Sequence, residues 1–69
     1  MGIGKRTIEE SIRLFGSIRN TCDKLQVTQP QTCKWAHDEH YPSSYYLAKL
    51  AEYGADVNYI LLGTHAEHT

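Results

Sequence analysis

The stretch "KLQVTQPQTCKW" (Lys24–Trp35) decides how this chain is read, because it either begins a helix or forbids one. It holds a proline, Pro30, and no acidic residue to favour a helix start. Thr28 and Gln31 stand at capping-box spacing, in which the hydroxyl and the side-chain amide each satisfy a backbone amide of the first turn. That alignment puts Gln29 at the first helical position and Pro30 at the second. Amides of the first turn have no intrahelical acceptor, so proline's missing N–H costs little there, and its fixed φ suits a helix start. The spacing therefore predicts a helix opening at Gln29, with Trp35 about two turns in and able to reach a core.

Working outward, helix punctuation recurs along the chain, and no run of alternating apolar and polar residues suggests a strand. Upstream, Thr7 and Glu10 repeat the capping-box spacing, Ile8, Ile12 and Phe15 fall on one helical face, and Gly16 supplies a stop. Ser17 is the next N-cap candidate, followed by Ile18, Cys22 and Leu25 as an inward stripe, with a break at Gln26 and Val27. Downstream, "AHDEHYPSS" reads as turn. Pro42 with Ser43 or Ser44 opens a fourth helix carrying Leu47, Leu50 and Ala51 inward, and Gly54 ends it. Asp56 can cap a last helix with Val57, Ile60 and Leu61 inward, closed by Gly63. The expected fold is all-α, a compact bundle of about five short helices containing a helix-turn-helix. Residues 1–6 are expected to form an N-terminal arm, 7–63 the domain, and 64–69 a frayed tail.

Sixty-nine residues make one domain with a small core, a size at which dimerisation is a natural aid to stability. No apolar run approaches the roughly 18 residues needed to cross a bilayer. Met1–Lys5 carries charge with no apolar stretch behind it, so a cytoplasmic chain is expected, not a secreted one. Cys22 and Cys33 are too few for a disulfide scaffold and are expected to be reduced, partly buried thiols. The formal net charge of -1 argues mildly against nucleic acid, but its distribution argues the other way. Lys5, Arg6, Arg13, Arg19, Lys24 and Lys34 all precede position 35, whereas Asp38, Glu39, Glu52, Asp56 and Glu67 follow it. A basic half and an acidic half suit a chain with one DNA-facing side.

Two short helices joined by a tight turn meet the layout of a helix-turn-helix. Cys22 supplies a small residue where the helices cross, and Val27 an apolar residue to close the turn. Gln29, Gln31 and Lys34 can hydrogen-bond base edges: glutamine pairs bidentately with adenine, and lysine donates to guanine in the major groove. Ser17 and Arg19, on the preceding helix, are placed to meet phosphates.

"FGSIRNTCDKLQVTQPQTCKW" resembles the motif of lambdoid Cro and repressor proteins, the lambda-repressor-like (XRE) DNA-binding domains. "YYLAKLAEYGADVNYILLGT" is similar to the last two helices of that family. The resemblance covers Thr7 to Gly63 and implies a small transcriptional regulator of phage or prophage kind, a homodimer on a palindromic double-stranded operator. It implies base contacts from Gln29 and Gln31, with Thr28 and Lys34 beside them, and phosphate contacts from Ser17 and Arg19. Three departures carry expectations of their own. Gln26 stands where the family has a glycine with positive φ, at a cost of about 1 kcal/mol. Thr32 replaces an apolar residue that would pin the recognition helix to the core. The acids of "HDEH" (His37–His40) would repel phosphate at short range.

His37 and His40, with Asp38 or Glu39, are weak candidates for a metal site because no apolar neighbours hold them rigid, and neither a metal nor any other cofactor is expected. Tyr41, Tyr45, Tyr46, Tyr53 and Tyr59 exceed what so small a core can bury, which marks some of them for a dimer surface or a host protein partner. No nucleophile has a partner at triad spacing and no glycine-rich phosphate loop occurs, so no enzyme is expected. The reading that competes with DNA binding is a phage-type inhibitor that uses the same fold to sequester a host regulator or another repressor.

Overall fold

Three of the five helix starts are capped by the side chains that the spacing singles out. The Ser17 hydroxyl accepts from Asn20 N–H (3.1 Å), Thr28 from Gln31 N–H (3.4 Å), and Asp56 from Tyr59 N–H (3.0 Å). In the computed structural model, which describes residues 2–63, they open three of five helices. These are α1 (Ile3–Phe15), α2 (Ile18–Leu25), α3 (Gln29–Ala36), α4 (Ser44–Glu52) and α5 (Val57–Leu62). No strand occurs among the described residues, and the chain is an all-α bundle. The expected tail, 64–69, with its two histidines His65 and His68, lies outside the described residues.

Each helix places one buried hydrophobic side chain in the core: Ile8, Leu25, Trp35, Leu50 and Ile60. Around them Ile3, Phe15, Ile18, Val27, Tyr46 and Leu47 are partly buried. The long α1 lies against α2, α3 and α5, and α4 bridges α2 and α5. The rest of the interior is filled by small hydroxyls that bond back into their own helices. Thr7 donates to Ile3 O (2.8 Å), Ser11 to Thr7 O (2.7 Å), Thr21 to Ser17 O (2.9 Å) and Thr32 to Gln29 O (2.8 Å). A hydroxyl satisfied this way is buried without an orphan donor and lets helix backbones approach closely.

The start of α1 corrects the sequence expectation. The helix begins four residues before Thr7, so residues 3–6 belong to it and not to an arm. Thr7 caps nothing, since its hydroxyl bonds back to Ile3 O. Glu10 serves other partners. Its carboxylate takes a two-pronged contact from Arg13 (2.7 and 3.1 Å), and its Oε1 also accepts from Asp56 N–H (3.0 Å), joining α1 to the start of α5. The first turn of α1 is capped from another segment, Asp38 accepting from Lys5 N–H (3.1 Å). At the far end of the chain, Arg6 donates to the last carbonyls of α5, Ile60 O (3.0 Å) and Leu61 O (3.4 Å).

Three positions on the expected apolar stripes are also corrected. Ile12 and Leu61 keep helical spacing with buried residues, yet 41% and 42% of their surface is exposed because no helix covers that side. Ala51 is likewise exposed.

Gly4 is demanded by close approach: a Cβ there would lie 2.4 Å from Trp35 O and 2.6 Å from His40 O. Gly4→Ala is expected to destabilise by roughly 1–3 kcal/mol, because backbone atoms cannot yield as a flexible side chain would. Urea denaturation followed by Trp35 fluorescence measures it, and an unchanged midpoint would show that the α1–α3 contact is looser than described.

Glu10 carries a pH dependence. The Arg13 hydrogen bonds, with the Asp56 N–H, hold its carboxyl below the ordinary value of 4.5, against the opposing effect of burial. A depressed folded value means the ionised group stabilises the fold above its unfolded value and stops doing so as pH falls through the lower, folded one. Glu10→Gln is therefore expected to be less stable at neutral pH and to lose less on acidification below about 4.5 than the parent. Parallel acid-stability curves for the two proteins would refute this.

Candidate nucleic-acid interface

α2 and α3 are each eight residues long and meet through the turn Gln26–Val27–Thr28. Gln26 adopts the left-handed conformation expected of it, φ 60° and ψ 44°. Its N–H and that of Val27 both reach Cys22 O, and its side chain donates to Asp23 O (3.0 Å), local bonds that hold a non-glycine residue in this region. Val27 is partly buried against the core and so closes the turn. Cys22 faces α3, its Sγ 3.9 Å from Thr32 Oγ1.

Thr32 resolves one of the departures. It is buried, and its hydroxyl is satisfied within α3, so a polar residue serves where an apolar one was expected without weakening the helix's seat. Trp35 completes that seat, with no exposed surface and its ring edge-on to Tyr46 at 5.4 Å.

With Thr32 and Trp35 inward, the outward arc of α3 is fixed. A helix advances about 100° per residue, so Gln29, Cys33, His37, Pro30 and Lys34 share an arc of about 140°. All five are exposed. Of the residues picked as base readers, Gln29 and Lys34 lie on this arc. Thr28 is exposed at its start, with its hydroxyl engaged as the cap. Gln31 falls about 60° past the Lys34 edge and is half-buried, on the flank of the arc and not its crest. Pro30, Cys33 and His37 share the exposed surface, and none was singled out there. The signal was available: counting from Trp35 as the inward residue selects them.

Beside the arc, Arg19, Cys22, Asp23 and Gln29 line a shallow open hollow between the start of α3 and α2. Arg19 is exposed, whereas Ser17 is half-buried at the N-cap of α2. The two residues picked for phosphate thus stand at the start of one helix, whose first amides carry partial positive charge. Asn20 is turned away, donating to Phe15 O (2.8 Å).

The other sequence candidates disperse. Asp38 caps α1 with φ 60°, and among the described residues no group of three or more His, Cys, Asp or Glu could hold a metal ion. Tyr46 packs on Trp35, and Tyr59 donates to Glu9 Oε1 (2.6 Å). Tyr41, Tyr45 and Tyr53 are exposed, Tyr45 under the Lys49 ammonium (5.4 Å to the ring centroid) and Tyr53 edge-on to Phe15 (5.1 Å). Both thiols are free; Cys22 is half-buried as expected, but Cys33 is exposed. Among the described residues no helix is long and apolar enough to cross a membrane.

Comparison with protein-family models, with curated proteins and with solved structures yields no match to this chain.

Thr32→Val is expected to change stability by less than about 1 kcal/mol, because Gln29 O, a helix carbonyl with a second lone pair, does not depend on the threonine. A loss of several kcal/mol in chemical denaturation would mean the hydroxyl has a larger part in seating α3.

Proposed function

We propose that this chain is a small DNA-binding transcriptional regulator that acts as a homodimer and lays α3 in the major groove of a palindromic operator. The observation that carries the reading is the exposed arc of α3, led by the Gln29 amide, on a helix whose opposite side is locked by Trp35 and Thr32. A reading helix must be rigid on one side and bare on the other, and its polar tips must reach base edges. Support also comes from Arg19, which lines the same hollow as Gln29 and so can meet phosphate while α3 reads bases. Regulation would follow from occupancy: the bound dimer excludes polymerase from the operator. The resemblance to lambda-repressor-like domains points the same way.

The competing reading is a protein-binding inhibitor. It draws on Tyr41, Tyr45 and Leu62, exposed by 70%, 61% and 71%. Such side chains favour a protein surface, although each also occurs singly on ordinary monomers.

Selection of purified protein against a pool of random duplex DNA, at low and at moderate salt, separates the two. An enriched palindrome whose binding falls steeply with salt is expected. Arg19→Ala should weaken binding to all sequences alike and reduce the slope of log affinity against log salt by about one. Gln29→Ala should instead relax preference at one base pair of each half-site. A folded protein that enriches nothing at low salt would favour the protein-binding reading.

A further inference from the structure

We infer that Cys33 and His37, one turn apart on the outward arc of α3, hold a thiophilic divalent cation of the zinc kind, and that two copies of the chain complete the site around one ion. The site stands on the geometry of α3 alone, and only its effect on DNA rests on the reading above. Cys33 and His37 are four residues apart, and the His37 N–H donates to Cys33 O (3.1 Å), so the helical turn between them is closed. Side chains at that spacing share one face, with Cβ atoms about 5–6 Å apart. Sulfur and ring nitrogen can therefore converge on one ion, at about 2.3 Å and about 2.0 Å for zinc. Two histidines four apart on a helix chelate zinc by the same geometry. Both side chains are exposed, and neither is engaged by another described residue. The other thiol, Cys22, is half-buried and turned toward Thr32.

Two ligands are half of the four that a closed zinc site takes. Among the described residues no third His, Cys, Asp or Glu joins them in a group that could hold a metal ion. A second copy related by a two-fold axis supplies the same pair again, which gives a tetrahedral set of two thiolates and two imidazoles. The surface permits that approach. Gln29, Pro30 and Cys33 are uncharged, and the cation of the arc, Lys34, stands about 100° around the helix from Cys33. Like charges thus stay away from the centre of the contact. Zinc takes sulfur as thiolate, so each Cys33 gives up its proton to solvent, and binding strengthens as pH rises. The two thiolates balance the charge of the ion. In the bridged pair each α3 covers the arc of the other, so metal and DNA compete for one surface.

The test is a titration of the reduced full chain with cobalt(II), which reports its ligands by colour. Expected are a thiolate-to-metal absorption and tetrahedral visible bands that saturate at one ion per two chains, with sedimentation showing the pair and zinc displacing the cobalt. Cys33→Ser and His37→Gln should each abolish the bands, and Cys22→Ser and His40→Gln should keep them. For the duplex selected from the random pool, zinc at about ten times its binding constant should weaken apparent affinity about tenfold. EDTA should restore it, and Cys33→Ser should bind the duplex alike with and without zinc. Absence of a thiolate band, saturation at one ion per chain without association, or bands that survive Cys33→Ser would overturn the site. Undiminished duplex affinity at saturating zinc would overturn the competition with DNA. If no duplex is enriched, the DNA-binding reading fails, and the cobalt spectrum still decides the metal site.

Discussion

Trp35 fixes α3, and everything α3 presents to solvent follows from how that one side chain is held. The indole has no exposed surface and its N–H has no partner among the described residues. The anchor works by apolar burial and by its edge-on contact with Tyr46, and the backbone around it is clamped as well. Gly4 lets the first turn of α1 come down onto Trp35 O and His40 O, and Asp38 from the loop after α3 caps that same turn. The end of α3 and the beginning of α1 are thus each other's terminus. A side chain at position 4 would lift α1 from α3 and tilt the outward arc along with it.

The rest of the fold compensates for a core of only five buried hydrophobic side chains among the described residues. A chain of this size cannot gain much from area alone. It places threonine and serine at helix contacts instead, where each hydroxyl bonds back into its own helix and leaves no buried donor unpaired. One ionised group enters this interior, Glu10, and it is tolerated because its oxygens face Arg13 and Asp56 N–H. This carboxylate fixes α5 against α1 together with Arg6 on the Ile60 and Leu61 carbonyls and Tyr59 on Glu9.

Much of this was legible in the sequence, and the part that was not has a single physical cause. Ser17, Thr28 and Asp56 were found because a cap is a local event, decided within four residues. Gly16, Gly63 and the left-handed Gln26 were found for the same reason. Thr7 and Glu10 carry the same spacing and mean something else, because their partners, Ile3 O on one side and Asp56 N–H on the other, are not the amides a capping box would use. Ile12 and Leu61 failed similarly: period alone gives a stripe, but which edge of the stripe is covered depends on neighbours tens of residues away. In the candidate site, Gln29, Lys34, Arg19 and Ser17 were legible from type and place. Gln31 was chosen for its chemistry, and its half-buried flank position emerges only when the helix is phased by Trp35. Pro30 and Cys33 were passed over because neither looks like a hydrogen-bonding residue.

The net charge of -1 looks awkward for a DNA-binding surface until the acids are located. Glu9 accepts from Tyr59, Glu10 joins Arg13 to Asp56 N–H, Asp38 caps α1 and Asp56 caps α5. Half of the chain's eight Asp and Glu residues are therefore engaged in capping helices or joining them to one another. Their charge is a structural expense of a small fold and says little about the surface between α2 and α3. There, Arg19 is exposed beside Asp23, while Lys24 and Lys34 are exposed elsewhere on the two helices. A phosphate lying along that surface within one Debye length, about 8 Å at physiological salt, responds to this local set more than to distant acids. A near-neutral total therefore says more about how the fold is built, with Glu9, Glu10, Asp38 and Asp56 spent on its contacts, than about any one face.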